Sequence, residues 1–173
     1  MIFEAPLPDA SVDQGDIIDG CPLHHLESFD QASLLAEREL DSVVSTYSRV
    51  LVLTQTCDLA QKKSSAVLIA VVREAAEMVR QGILKAVDVQ GPIRGGRVFG
   101  WYYLPSFEPY GFPESVVDLR QIHTIRRELL TTLCSHGKRR VRIRPLYREH
   151  LARHFAETYA RIGLPQPYET RSQ

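Results

Sequence analysis

The chain has 173 residues, 44% hydrophobic and 24% charged, with 21 basic and 21 acidic side chains. That composition excludes disorder, collagen-like repeats and low complexity, and the length fits one domain spanning 1–173. The zero net charge hides a division. Residues 1–60 hold eleven acids against Arg38 and Arg49, and residues 61–173 hold nineteen bases against ten acids. Such asymmetry points to a basic binding surface, or to one half neutralising the other.

Residues 1–14 read as an irregular segment. MIFEAPLPDA has no basic n-region and no apolar h-region, so no signal peptide is expected. Gly15-Asp16-Ile17-Ile18 reads as a turn into a short strand. Residues 19–41 form an acidic insertion, in which Ala32–Leu40 fits a short helix or a mobile loop. Val43–Tyr47 and Arg49–Thr54 read as strands; Val50–Leu53 lacks polar alternation, so it should be buried on both faces. Cys57–Lys63 is a polar connection. Ala66–Val72 is a second buried strand and the longest apolar run, far short of the ~18–20 residues that span a bilayer. Arg73–Gln81 reads as a helix ending at Gly82. Residues 83–97 read as a basic loop, Val98–Leu104 as an aromatic strand, Val116–Leu119 and Ile122–Ile125 as two short strands. Pro145 opens a C-terminal helix over 145–163, with a stripe of Leu146, Leu151, Phe155, Tyr159 and Ile162. About six short strands with outer helices predict a β-rich α+β fold built on a small barrel or half-barrel.

Three constellations carry chemistry. Thr54, Gln55, Thr56, Cys57 and Asp58 end a buried strand, as a pocket floor or as a polar strand end with Asp58 capping the next turn. Cys21, His24, Cys134 and His136 have the chemistry for zinc but not the spacing, so no metal and no cofactor are expected; scattered histidines and small buried thiols account for them. Residues 120–148 carry nine bases against Glu128. Arg140, Arg142 and Arg144 would share one side of a strand, and with Arg120, Arg126 and Arg127 would track a phosphate backbone or dock an acidic surface. Three widely spaced cysteines suit a reducing, cytoplasmic setting.

Three segments resemble the MazF/PemK family of toxin endoribonucleases, which have an SH3-like barrel. Gln14-Gly15-Asp16-Ile17-Ile18 is similar to its opening strand, Ser48–Thr54 and Ala66–Val72 to the next two, and Ser115–Leu129 to its "S-x-V-x-x-x-Q-I-R-T-I" stretch. The resemblance implies metal-independent RNA cleavage with Arg49 at the matched catalytic position. Val50 replaces the family's proline, no hydroxyl stands near Val72-Arg73, and His123 replaces a second arginine. Thr54, Thr56 or His123 would then move the proton. The resemblance also implies a homodimer, and an acidic insertion lying over the RNA groove as a phosphate mimic. The expectation is an RNA-acting protein of this toxin-antitoxin type, an endoribonuclease or an inactive RNA binder, without membrane attachment. The competing expectation is a protein-interaction module, an accessory subunit of a larger bacterial assembly.

Overall fold

The computed structural model describes residues 1–28, 30–37, 43–61 and 65–160. The chain is α+β. Seven strands form one antiparallel sheet: β1 (Phe3–Glu4), β2 (Asp16–Leu26), β3 (Val43–Val52), β4 (Ala66–Glu74), β5 (Trp101–Leu104), β6 (Ser115–Arg126) and β7 (Arg139–Ile143). Their order is β1-β7-β2-β3-β4-β6-β5. The helices are α1 (Gln31–Leu35), α2 (Thr56–Ala60), α3 (Ala75–Arg80), α4 (Ala86–Asp88), α5 (Arg127–Ser135) and α6 (Pro145–Tyr159). A π-helical turn, Val89–Ile93, continues α4. The expected barrel is corrected: among the described residues the sheet ends at β1 and β5 and does not close.

The apolar runs divide between two faces of the sheet. Directly opposed residues in an antiparallel pair point the same way. Leu51 opposes Ala70, and Val72 opposes Val117; these pack with Leu151 and Phe155 of α6. Val50 opposes Val71, and Val52 opposes Ile69; these pack with Leu59 of α2 and Leu130 of α5. Helices on both sides explain why Val50–Val52 of β3 and Val67–Val72 of β4 have no polar face. Each large side chain fully buried here contributes roughly 1.5–3 kcal/mol.

Gly15 ties three strands at one point. Its N–H donates to Val52 and its carbonyl accepts from Ile143, both at 2.9 Å. Its φ is +83°, and a Cβ would stand 3.0 Å from Ile143 Cβ, so glycine is required there.

The acidic insertion begins as strand. β2 runs to Leu26 and pairs with β3 through Leu26–Val43. β7 pairs with β2 only at Asp16–Ile18, and β4 pairs with β3 only at Arg49–Val52. The outer residues therefore form a two-stranded arm, with Leu26, Val43 and Tyr47 exposed. Residues 38–40 of the expected 32–40 helix lie outside the described residues.

Other boundaries also move. The two expected strands at 116–125 are one strand, β6, broken in register between Asp118 and Ile122. Residues 86–93 are helical rather than loop. In α6, Leu151 is buried but Leu146 is 78% exposed, while Arg148 and His154 are buried in its place. The helix ends at Tyr159; residues 161–163 of the expected span lie outside the described residues.

Candidate functional site

Arg49 and His123 lie on opposite faces of the sheet. Arg49 opposes Val72, on the α6 side; His123 opposes Ile69, on the α5 side. Arg49 Nε donates to Asp19 Oδ1 at 2.5 Å, and its Cζ lies 5.4 Å from the Phe112 ring centre. Thr54 Oγ1 accepts the Leu68 N–H at 2.7 Å, which closes the β3–β4 connection. Thr56 is the first residue of α2 and its hydroxyl accepts from Arg148 Nη1 at 3.4 Å. It lines a different cleft from His123. The structure thus does not assemble Arg49, Thr54, Thr56 and His123 into one pocket.

Four of the nine bases at 120–148, Arg139, Arg140, Arg142 and Arg148, are engaged by acids from the first twenty residues. Asp16 is fully buried and opposes Arg142 across β2–β7. Its carboxylate accepts from Arg142 Nε at 2.6 Å and Nη2 at 2.9 Å. Arg139 Nε lies 3.3 Å away, an ion pair without hydrogen-bond geometry. Arg148 donates to Asp13 at 2.7 Å and Glu4 at 3.1 Å, and Arg140 pairs with Asp19 at 2.8 Å. Arg120 forks onto Asp118 at 2.9 and 3.1 Å and stacks 4.4 Å above Trp101. Arg127 donates to Leu59 O at 2.8 Å. Arg126 and Arg144 are exposed.

The expected row of 140, 142 and 144 is therefore corrected. Arg144 is the N-cap residue of α6, outside β7, and Arg142 is drawn under by Asp16. The acids that meet these bases are Glu4, Asp13, Asp16 and Asp19, not the body of the insertion, where Asp30 caps α1.

The structure does gather a different set. A cleft of about 510 Å³ opens between the β2–β3 arm and the outer half of β6. His24 and His25 reach it from β2, Arg73 from β4, and Arg120 and His123 from β6. Thr46 and Ser48 add hydroxyls, and Leu23 and Val71 form apolar wall. The lining holds two arginines and three histidines but no carboxylate. The register break in β6 re-aims Arg120 and Gln121, as bulges do. Arg73 Nη2 donates to Gln121 at 3.2 Å, while its Nε is buried without a hydrogen-bond partner. His24 Nδ1 lies 2.8 Å from Ser45 Oγ. The sequence carried no signal for Arg73, which stands alone after an apolar run.

Cys21 and Cys134 are buried in the core under α5. Burial pushes the Cys21 thiol up to about 11 and raises that of Cys134. His136 is exposed at the end of α5, with Nδ1 2.8 Å from Thr132 O. Among the described residues, no three His, Cys, Asp or Glu side chains are grouped to hold a metal.

No family model matches the chain, and no curated protein matches it. Among the described residues no helix is long and apolar enough to cross a membrane.

Proposed function

We propose that the protein binds RNA in the cleft between the β2–β3 arm and β6. The observation that carries this reading is the concentration of Arg73, His24, His25 and His123 in one lining without a carboxylate, beside Arg120, which is already forked onto Asp118. Such a site attracts phosphates, and its hydroxyls can hydrogen-bond sugar and phosphate oxygens. Arg73 follows Val72, the cross-strand partner of Arg49. Arg73 therefore points to the face opposite Arg49, the position the MazF/PemK-like resemblance matches, so this cleft is a different site from the one that resemblance implies. In the catalytic version, a pair of these histidines exchanges protons with the 2′-hydroxyl and the leaving oxygen, and Arg73 stabilises the phosphorane. An SH3-like ancestry, opened at β1 and β5, belongs to the same proposal.

The test is anisotropy of a labelled single-stranded RNA with the whole chain. Affinity should fall steeply between about 50 and 200 mM salt, with a slope near −0.7 per phosphate neutralised. Arg73→Ala should lower that slope by one such step. Cleavage is tested with EDTA present: a 2′,3′-cyclic phosphate product, lost in His123→Ala, supports the catalytic version. Absence of binding at the lower salt by folded protein overturns the whole reading.

A second reading, protein docking, rests on the arm with its exposed Leu26, Val43 and Tyr47. It predicts a partner whose binding survives high salt and fails in Tyr47→Ser.

A further inference from the structure

A second cleft lies at the far end of the sheet, formed by β5, the first turn of α6 and the turn after the π-helix. It encloses about 790 Å³ and is lined by Trp101, Tyr102, Tyr103, Tyr147, Arg94 and His150, with Gly95 and Gly96 at its rim. We infer that this cleft binds a nucleotide, its planar base stacked against the accessible rings of Tyr103 and Tyr147, with Trp101 and Tyr102 buried behind them, and its phosphate on Arg94.

Aromatic rings and apolar walls with a few convergent polar groups make an ordinary small-ligand site. Trp and Tyr faces accept any base. Here the polar groups favour an anion: Arg94 is exposed with its Cζ 5.6 Å from the Tyr103 ring centre, and no carboxylate lines the cleft. The walls are fixed. Tyr102 OH donates toward Tyr147 O at 3.4 Å and lies 3.2 Å from His150 Nδ1, and the Tyr102 and His150 rings are 5.6 Å apart. Burial pushes the Tyr102 phenol up to about 12, so this hydroxyl stays protonated. Tyr103 is anchored through its hydroxyl to Glu114. One wall stays open: Tyr147 is 40% exposed and Leu146 78%. At Gly96, φ +65°, a Cβ would stand 3.9 Å from His150 Cε1, so the glycine leaves that part of the rim without a side chain. The π-helical turn with Pro92 inside it delivers this rim, and π turns are frequent at functional sites.

The inference goes beyond RNA binding in the first cleft and does not depend on it. Trp101 is the one tryptophan of the chain and is buried at the back of the second cleft, so its emission is followed together with equilibrium dialysis of the same ligands. The full chain is titrated with AMP, UMP, adenosine and inorganic phosphate. A nucleotide should bind saturably with a midpoint below about 1 mM, and phosphate alone should not. Tyr147→Ala should weaken nucleotide and nucleoside alike by roughly tenfold, the loss expected for one stacking partner. Arg94→Ala should weaken AMP by a similar factor and leave adenosine unchanged. Arg73→Ala, in the first cleft, should leave this titration unchanged, which separates failure here from failure of the RNA reading. A short RNA competing with AMP would identify the nucleotide as one residue of a chain; no competition would identify the free nucleotide. Tyr147 and Arg94 are exposed and Arg73 is partly exposed, and retention of the wild-type urea midpoint confirms folding of each variant. Absence of nucleotide and nucleoside binding by equilibrium dialysis overturns the inference, as does insensitivity to both substitutions. So does a response to a proline-rich peptide alone, which would make the cleft a peptide groove.

Discussion

Replacing Asp16 by asparagine tests whether the charge division along the chain is structural. The carboxylate is fully buried, and the arginine side chains it serves are 11% exposed at Arg142 and 5% at Arg139. It also accepts the Asp13 N–H at 2.9 Å. An amide in its place would keep the shape but leave two buried guanidinium groups without their anion. Breaking a buried pair from one side costs about 3–5 kcal/mol. Domains of this kind have about 5–15 kcal/mol in total. With a urea slope near 2 kcal/mol/M, the unfolding midpoint should fall by roughly 2 M. The assay is urea unfolding followed by Trp101 emission and circular dichroism. Glu157→Gln provides the contrast: its partner Arg153 is exposed, 2.8 Å away on one helix, and the midpoint should not move. The Asp16 effect should persist in high salt, because buried pairs are screened little. If Asp16→Asn falls no further than Glu157→Gln, the arginines are held by something other than Asp16 and the reasoning fails.

Three other outcomes follow from the same contacts. The Asp13 carboxyl lies below its ordinary value of 3.8: burial raises it, but the Thr56 hydroxyl, the Gln14 N–H, Arg148 and Arg142 outweigh that. Its folded pKa is depressed, so its stabilisation is present above about pH 4 and is lost as pH falls through the folded value; Asp13→Asn should flatten this acid limb in a pH series of urea midpoints. Asp19→Asn should leave RNA binding and its salt slope unchanged, read by anisotropy, because Arg49 and Arg140, which Asp19 holds, do not line the cleft. Cys57 is exposed while Cys21 and Cys134 are buried, so a thiol reagent should modify one cysteine of the native chain and three after denaturation.

The core was readable from local pattern. Val50–Leu53 and Ala66–Val72 carry unbroken apolar runs, and the structure covers both faces of each with helices. Pro145 marked the start of α6 for the local reason that its fixed φ suits a first turn. What escaped was non-local. Nothing local to residues 139–142 says that Asp16, 126 residues earlier, lies opposite Arg142; that requires β7 to insert between β1 and β2. The β6 register break is equally silent, because residues 116–125 look like two strands with or without it, yet it is what aims Arg120 and Gln121. Arg73 follows the apolar run as any strand-ending charge would. Leu146 looked like core by spacing, but α6 turns Arg148 inward to meet Asp13 and Glu4. The candidate site was thus visible as residue types and invisible as an arrangement.

The insertion of β7 beside β2 also has a consequence for synthesis. About 120 residues separate the two strands, so at 5–20 residues per second β2 waits roughly 6–24 s for its neighbour. During that interval the edge of β2 is an unpaired row of backbone groups, the kind of edge that invites wrong partners. Asp13 and Asp16 line that stretch, and before Arg139, Arg142 and Arg148 arrive their charges are solvated and mutually repulsive. The acids that later anchor the arginines first guard the strand they belong to.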